Sequence, residues 1–407
     1  MDERRLSVKE IREFMAAELF FGLLLFLRYY EAWVNLMNGT VLAFSYKYGF
    51  ISRGLVGTFY QWLDRVLPFD MMRYQAVVNY TLIVTMIFYG VMAGFFVLCL
   101  RRGAGQIRYI ILFFTIFMVP FSAAHFNFGR PDVYCLMLST LAAVLLIKER
   151  TQWLVVPIAA VGVMIHQGNV FMYLNIILVL LLYRIFSSSG KRRRYYVILL
   201  IASFLVASAL FLWFELFSHG GGQAIYDEVV ETARHLTRKG NIHEDLVDKE
   251  ILGIDLTDRE VEDHRANFVQ FAFFALMMLP YIFFLVRFFR ELIRGAATAA
   301  DRWKYVFVAL GAGTMLPDML LKIDYGRWMF AIIAYYCVML LALHAMGDVC
   351  VRDAFARTLE RVKTRPFPAL VMLMYPLAFQ PFEDVSINSV TEGLADLVNE
   401  GLHLGWW

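Results

Sequence analysis

The chain has 407 residues, of which 60% are hydrophobic and 18% charged. A soluble domain carries about 45–50% apolar and about 25% charged residues, so this balance excludes a soluble globular enzyme, a disordered protein and a nucleic-acid binder. The 38 basic and 35 acidic side chains leave a net charge of +3, so the placement of charge is more informative than its sum.

Residues 1–14 are charged and amphipathic and read as a segment lying on the cytoplasmic membrane surface. The apolar run at 15–33 is long enough to span and ends without a small-residue cleavage site, which makes it a first span and not a signal peptide. Apolar runs between charged interruptions give about eleven membrane segments in all. They fall near 15–33, 76–100, 109–126, 133–147, 153–166, 168–184, 195–216, 267–287, 304–322, 328–346 and 367–381. The expected fold is therefore an all-α, polytopic integral membrane protein. Its membrane domain covers 15–382, with a long, partly helical external loop at 217–266 and an external tail at 383–407.

The basic residues set the orientation. Arg101, Arg102 and Arg108 share one loop, Lys148 and Arg150 a second, and Lys191, Arg192, Arg193 and Arg194 a third. Arg287, Arg290, Arg294, Arg302 and Lys304 follow, then Arg352, Arg357, Arg361, Lys363 and Arg365. A cytoplasmic N-terminus puts every one of these loops inside. The run at 153–183 decides one detail. As a single helix it would be ~46 Å long, well beyond the ~30 Å hydrocarbon core. A hairpin broken at His166-Gln167-Gly168-Asn169 keeps both flanking basic loops on one side. Its arms are only ~22 Å long, so the tip is recessed, as in a re-entrant hairpin, and lines water or protein. The hairpin around 125–132 is similarly short.

Five pieces on the outer side read as non-helical: residues 34–75 with YGFISRGLVG at 48–57, HFNFGRPD at 125–132, IHQGN at 165–169, the long loop, and LKIDYGRW at 321–328. They bring Arg130, His166, Asp324 and Arg327 to one cavity, with Arg53 joining from the first loop. Ionisable groups at membrane depth are costly and usually have a partner or a task. Several guanidiniums together point to an anion of the phosphate type, such as a lipid-diphosphate headgroup. Gly49, Gly54 and Gly129 let backbone come close to such a group. His166 or Asp324 would serve as general base, and Asp132, Asp318 and His125 are further candidates.

Blander readings stand beside these. The arginines can snorkel or pair with Asp132 and Asp324, and His166 can be a satisfied core histidine. The charges of 226–265 read as a solvated helical face. Asp227, Glu228, Glu231 and His235 have helical spacing like metal ligands, but no second cluster supports them, so neither metal nor cofactor is expected. Cys99, Cys135, Cys337 and Cys350 sit in or beside apolar runs and read as core thiols.

Arg130, an apolar span, a short basic loop and a second span ending at His166 form a pattern that resembles the Wzy-like and EpsG-like bacterial polysaccharide polymerases. The later span opened by Asp324-Tyr325-Gly326-Arg327 has the same look. The resemblance lies mainly in 127–183 and 322–342. It implies a membrane glycosyltransferase that draws on a polyprenyl-diphosphate-linked glycan at the outer face of the bacterial inner membrane. Arg130 and Arg327 would hold the diphosphate and His166 would act as base or orienting group; Arg53 is added from topology alone. The first outer loop has only Asp64 and Asp70, distant from the span end, which argues against a dolichol-type acidic-pair mechanism. Two rival classes use the same features: a transporter or scramblase of a lipid-linked or anionic solute, and a non-catalytic subunit that binds polysaccharide assembly proteins, with Trp406-Trp407 as an interface anchor.

Overall fold

The computed structural model describes residues 36–103, 105–122, 130–218, 221–254, 268–321 and 325–364. Among these, all regular structure is helical. In chain order the main helices are α1 (Leu36–Ala43), α2 (Gly54–Val66), α3 (Tyr74–Arg101), α4 (Ile107–Ser122), α5 (Pro131–Lys148), α6 (Val155–Ile165), α7 (Leu174–Phe186), α8 (Gly190–Phe217), α9 (Gly222–Leu236), α10 (Phe268–Gly295), α11 (Ala299–Leu310), α12 (Tyr325–Ala345) and α13 (Val349–Thr364). Among the described residues, five stretches are long and apolar enough to cross a membrane: α3, α5, α8, the run Asn169–Phe186 and Arg327–Ala345. Two shorter apolar stretches, Ile107–Phe117 and Gln152–Ile165, accompany them. The spans expected at 15–33 and 367–381, the segment 1–14 and the tail 383–407 lie outside the described residues.

α12 is the axis of the bundle. Its spanning window is 89% buried, and it packs on α3, α4, α5, α7, α10 and α13. α8 is the opposite case, with 22% of its window buried; its exposed Ile198, Phe204, Leu205 and Leu212 suit a face turned to lipid.

The basic loops do share one end of the bundle. There their side chains terminate neighbouring helices, whose last carbonyls lack intrahelical donors. Arg102 Nη1 donates to Ile147 O at 2.9 Å, and Arg184 Nη2 donates to Leu146 O at 2.6 Å. Arg352 Nη2 donates to Arg102 O at 3.0 Å. Three of the four cysteines, Cys99, Cys135 and Cys337, are buried thiols, as their apolar surroundings predict.

Three expectations are corrected. The described part of the piece expected as non-helical at 34–75, residues 36–75, carries two helices, α1 and α2. α2 escapes a hydropathy reading because it is amphipathic, with Gly54, Val56, Gly57 and Tyr60 buried while Phe59 and Trp62 are exposed. The expected span at 304–322 is broken into α11, a 3-10 turn at Gly311–Met315 and a short helix at Leu316–Leu321. The break sits where a Cβ on Gly311 would fall 2.0 Å from Tyr335 Oη, so only glycine admits the crossing of α12. Arg327 lies inside the first turn of α12, not in a non-helical piece.

Candidate functional site

The end of the bundle opposite the basic loops carries the charged group that the sequence singles out. The expected hairpin break is there: α6 stops at Ile165, and Asn169–Met172 and then α7 begin after His166, Gln167 and Gly168. The turn satisfies its own backbone, with Asn169 N donating to His166 O at 2.9 Å. Gly168 N donates to His166 Nδ1 at 3.1 Å. That bond uses Nδ1 as an acceptor, which in a neutral ring goes with a proton on Nε2. A Cβ on Gly168 would lie 2.9 Å from His166 Cε1, so glycine lets the imidazole lie flat over the turn.

Arg327 meets this ring. Its Nη2 is 3.3 Å from His166 Nε2 and donates to Asp132 Oδ1 at 3.0 Å. Asp132 is 2% exposed and stands in the first turn of α5, behind Pro131. Proline fits there because the first helical N–H has no intrahelical acceptor. The carboxylate also suits the positive end of that helix, whereas Arg327 in the first turn of α12 opposes the dipole of its own helix. Asp132 offsets that conflict. Arg130, the residue before Pro131, is 7% exposed. Tyr173, also buried, stands in the field of both Asp132 and Arg327.

Arg53 reaches the same end by a different route. YGFISRGLVG is a turn-and-crossing motif. Gly49 turns the chain at φ 112, and Arg53 itself is left-handed at φ 59. A Cβ on Gly54 would lie 2.7 Å from the Tyr46 ring, and one on Gly57 would lie 1.8 Å from Phe44 O. Small residues therefore fix the path that aims Arg53 inward. Its Nε pairs with Glu250 Oε1 at 3.2 Å. Glu250 is 1% exposed and belongs to the long loop, on the helical turn Asp248–Leu252. His243, in the same loop, accepts at Nδ1 from Leu246 N at 3.3 Å. Burial holds the His243 pKa below its ordinary value; Asp245 pulls it up, and the charges of Arg53 and Arg130 add smaller downward pushes. His243 thus bridges the fields of Arg53 and Arg130.

Arg53, Arg130, Asp132, His166 and Arg327 are accordingly brought together at one end. Asp324 and His125 lie outside the described residues. Asp318 falls on the helix Leu316–Leu321, and its side chain lies outside the description. Glu250 and His243 were absent from the sequence reading, where 226–265 appeared as a solvated face. Their one signal was membership of a loop too long for a plain connection. Gln167, also unforeseen, donates to Glu215 Oε1 at 2.8 Å and ties the hairpin tip to α8.

The arrangement is suited to an anion. The first turns of α5 and α12 meet here through Asp132 and Arg327, each at the positive end of its helix. Three guanidiniums share the end with Asp132 and Glu250, the buried carboxylates of this end among the described residues. Gly168 N–H is directed at His166 Nδ1 and Arg327 Nη2 at Nε2, so an oxygen beside the ring would meet the Arg327 donors first. No group of three or more His, Cys, Asp or Glu among the described residues stands close enough to hold a metal. Comparison with protein families, characterised proteins and solved structures finds no match to this chain.

Proposed function

We propose that this chain is a membrane glycosyltransferase of the bacterial inner membrane, with a cytoplasmic N-terminus, that uses a polyprenyl-diphosphate-linked glycan as donor on the outer face. The observation that carries the reading is the meeting of Arg327, Asp132 and His166, with Arg130 heading the helix of Asp132 and Arg53 held by Glu250. Guanidiniums match phosphate oxygens in pairs, and fixed cations lower the cost of charge developing on a departing diphosphate.

In this reaction an acceptor hydroxyl oxygen bonds to the anomeric carbon. The bond from that carbon to the diphosphate oxygen breaks, and its electron pair leaves on the diphosphate. Arg130 and Arg327 hold the leaving group, and His166 Nε2–H donates to its oxygen. The hydroxyl proton passes to a carboxylate. Asp324 is the candidate from sequence. Asp132 Oδ2, buried and without a hydrogen-bond partner among the described residues, is the second.

Deleting the gene should cause lipid-linked oligosaccharide to accumulate. Arg130→Ala and Arg327→Ala should abolish polymer while the protein still reaches the membrane. Normal polymer from both variants would overturn the assignment. A scramblase or a non-catalytic subunit is separated by purified protein: it would form no new glycosidic bond from lipid-linked donor.

A further inference from the structure

A cavity of about 820 Å³ lies between α2, α3 and α5, and its lining is almost wholly apolar. The polar groups on its wall are Asn79, Tyr80 and Tyr134, and the Tyr134 hydroxyl donates to that of Tyr80 at 3.2 Å. Phe59, Ile83 and Ile87 line it and are half exposed, so it opens on the side that meets hydrocarbon. Its inner wall reaches the charged end. Leu55 follows Arg53 by two residues, Ile165 directly precedes His166, and Tyr134 stands one helical turn after Arg130.

Inside a bilayer an apolar cavity has little preference for one tail over another, because lipid chains are as apolar as leucine. Selection requires a tether: a headgroup fixed beside the cavity raises the local concentration of its own tail there. Here Leu55, Tyr134 and Ile165 of the inner wall are near neighbours in sequence of Arg53, Arg130 and His166, so a headgroup held by those groups stands at the inner end of the cavity. We infer that this cavity holds the headgroup-proximal part of the isoprenoid chain of the same lipid whose diphosphate the arginines grip. The inference rests on the proposed function, and it assigns a chain site that the arginines alone do not imply.

The test uses the full-length chain in nanodiscs, with undecaprenyl diphosphate and inorganic pyrophosphate as probes. Ala76→Trp and Met137→Trp fill the cavity. Both should weaken undecaprenyl diphosphate binding at least tenfold and leave pyrophosphate binding unchanged. If the filled variants bind the prenyl probe like the parent chain, the cavity assignment falls and the proposed function stands. If the parent chain binds no prenyl diphosphate, both fall. A diazirine-bearing prenyl diphosphate keeps the test decisive where a tryptophan variant fails to insert. It should label α2, α3 or α5 at cavity positions, and a diazirine phospholipid at equal load should not compete. Labelling by the phospholipid alone overturns the inference. So does full disulfide capture between Ile83→Cys and a cysteine placed within residues 15–33, with no prenyl labelling, since the chain itself would then fill the space.

Discussion

Arg327 and Asp132 are 195 positions apart in the sequence and 3.0 Å apart in the structure. Their side chains are 9% and 2% exposed. The pair joins the first turns of α5 and α12, so it fixes where two positive helix ends meet. It also holds Arg327 Nη2 against His166, and this one contact ties packing to chemistry.

Breaking the pair from either side leaves the other charge buried. Asp132→Ala should therefore destabilise the protein by about 3–5 kcal/mol, the usual cost of breaking a buried ion pair from one side. Arg327→Ala should cost about as much on the same grounds. The double variant should cost clearly less than the two singles summed, because it strands neither charge. Thermal melts of the four proteins in one detergent measure this, and strict additivity would show that the two groups do not interact.

Gly168→Ala tests the histidine. The added Cβ would sit 2.9 Å from His166 Cε1 and displace the ring from Arg327. Polymer formation should fall at least tenfold with little change in melting temperature. Gly90→Ala is the control, since a Cβ there meets nothing within 4 Å. Equal activity of both variants would detach His166 from function.

Arg53 sets strain against charge. A non-glycine residue at φ 59 costs about 1–2 kcal/mol, which Arg53→Gly would relieve. The same change strands Glu250 at 1% exposure, a loss of about 3–5 kcal/mol. Charge wins, so Arg53→Gly should loosen the long loop, read as faster proteolysis within 221–254. Arg53→Gly with Glu250→Gln should restore much of the protection.

Much of the architecture was legible from hydropathy because a bilayer imposes a length on apolar runs. α3, α5, α8 and α12 each appear as one. The break at 166–168 was legible from the placement of Lys148 and Lys191, which a single long helix would separate. The pairing of Arg53 with Glu250 was not legible. In the sequence Glu250 is one acid among many in a polar stretch, and its burial depends on how that loop closes over α1 and the turn after it. α13 was missed for a related reason: its buried Val351, Ala354, Phe355 and Leu359 alternate with charges, so no apolar run marks it. Arg130, Asp132, His166 and Arg327 were legible as unusual groups at span ends, but the tautomer of His166 depends on Gly168 N, a backbone atom with no sequence signature.

The long loop should respond to pH through His243. Its folded-state pKa lies below the ordinary 6.5, by burial first, while Asp245 pulls the other way and Arg53 and Arg130 add smaller downward pushes. An undocked loop returns the ring to its ordinary value and so binds more protons below that pH. Docking is therefore at full strength above about pH 6.5 and weakens as pH falls toward the docked value. Hydrogen-exchange protection of 221–254, taken relative to the intrinsic exchange rate at each pH, should fall between about pH 7 and pH 5. His243→Asn, which keeps a capping acceptor for Leu246 N, should flatten that fall. An unchanged slope would remove His243 as the titrating group.

The opposite end supplies the control for all of these. Asp348 accepts from Tyr183 Oη at 2.7 Å, from Tyr305 Oη at 2.8 Å and from Lys304 Nζ at 3.3 Å. It also accepts from Val351 N at 3.0 Å and so starts α13. Lys304 and Asp348 are 8% and 4% exposed, and Lys304 also pairs with Asp301 at 3.2 Å, so Asp348→Ala should cost less than the ~3–5 kcal/mol of an uncompensated buried ion. The chemistry proposed for the far end does not touch this network. At a temperature where Asp348→Ala remains folded, its affinity for undecaprenyl diphosphate should match the parent chain, whereas Arg130→Ala should lose binding with a smaller loss of melting temperature. Equal loss of binding in both variants would mean that binding simply tracks stability, and the charged end would then have no special claim on the ligand.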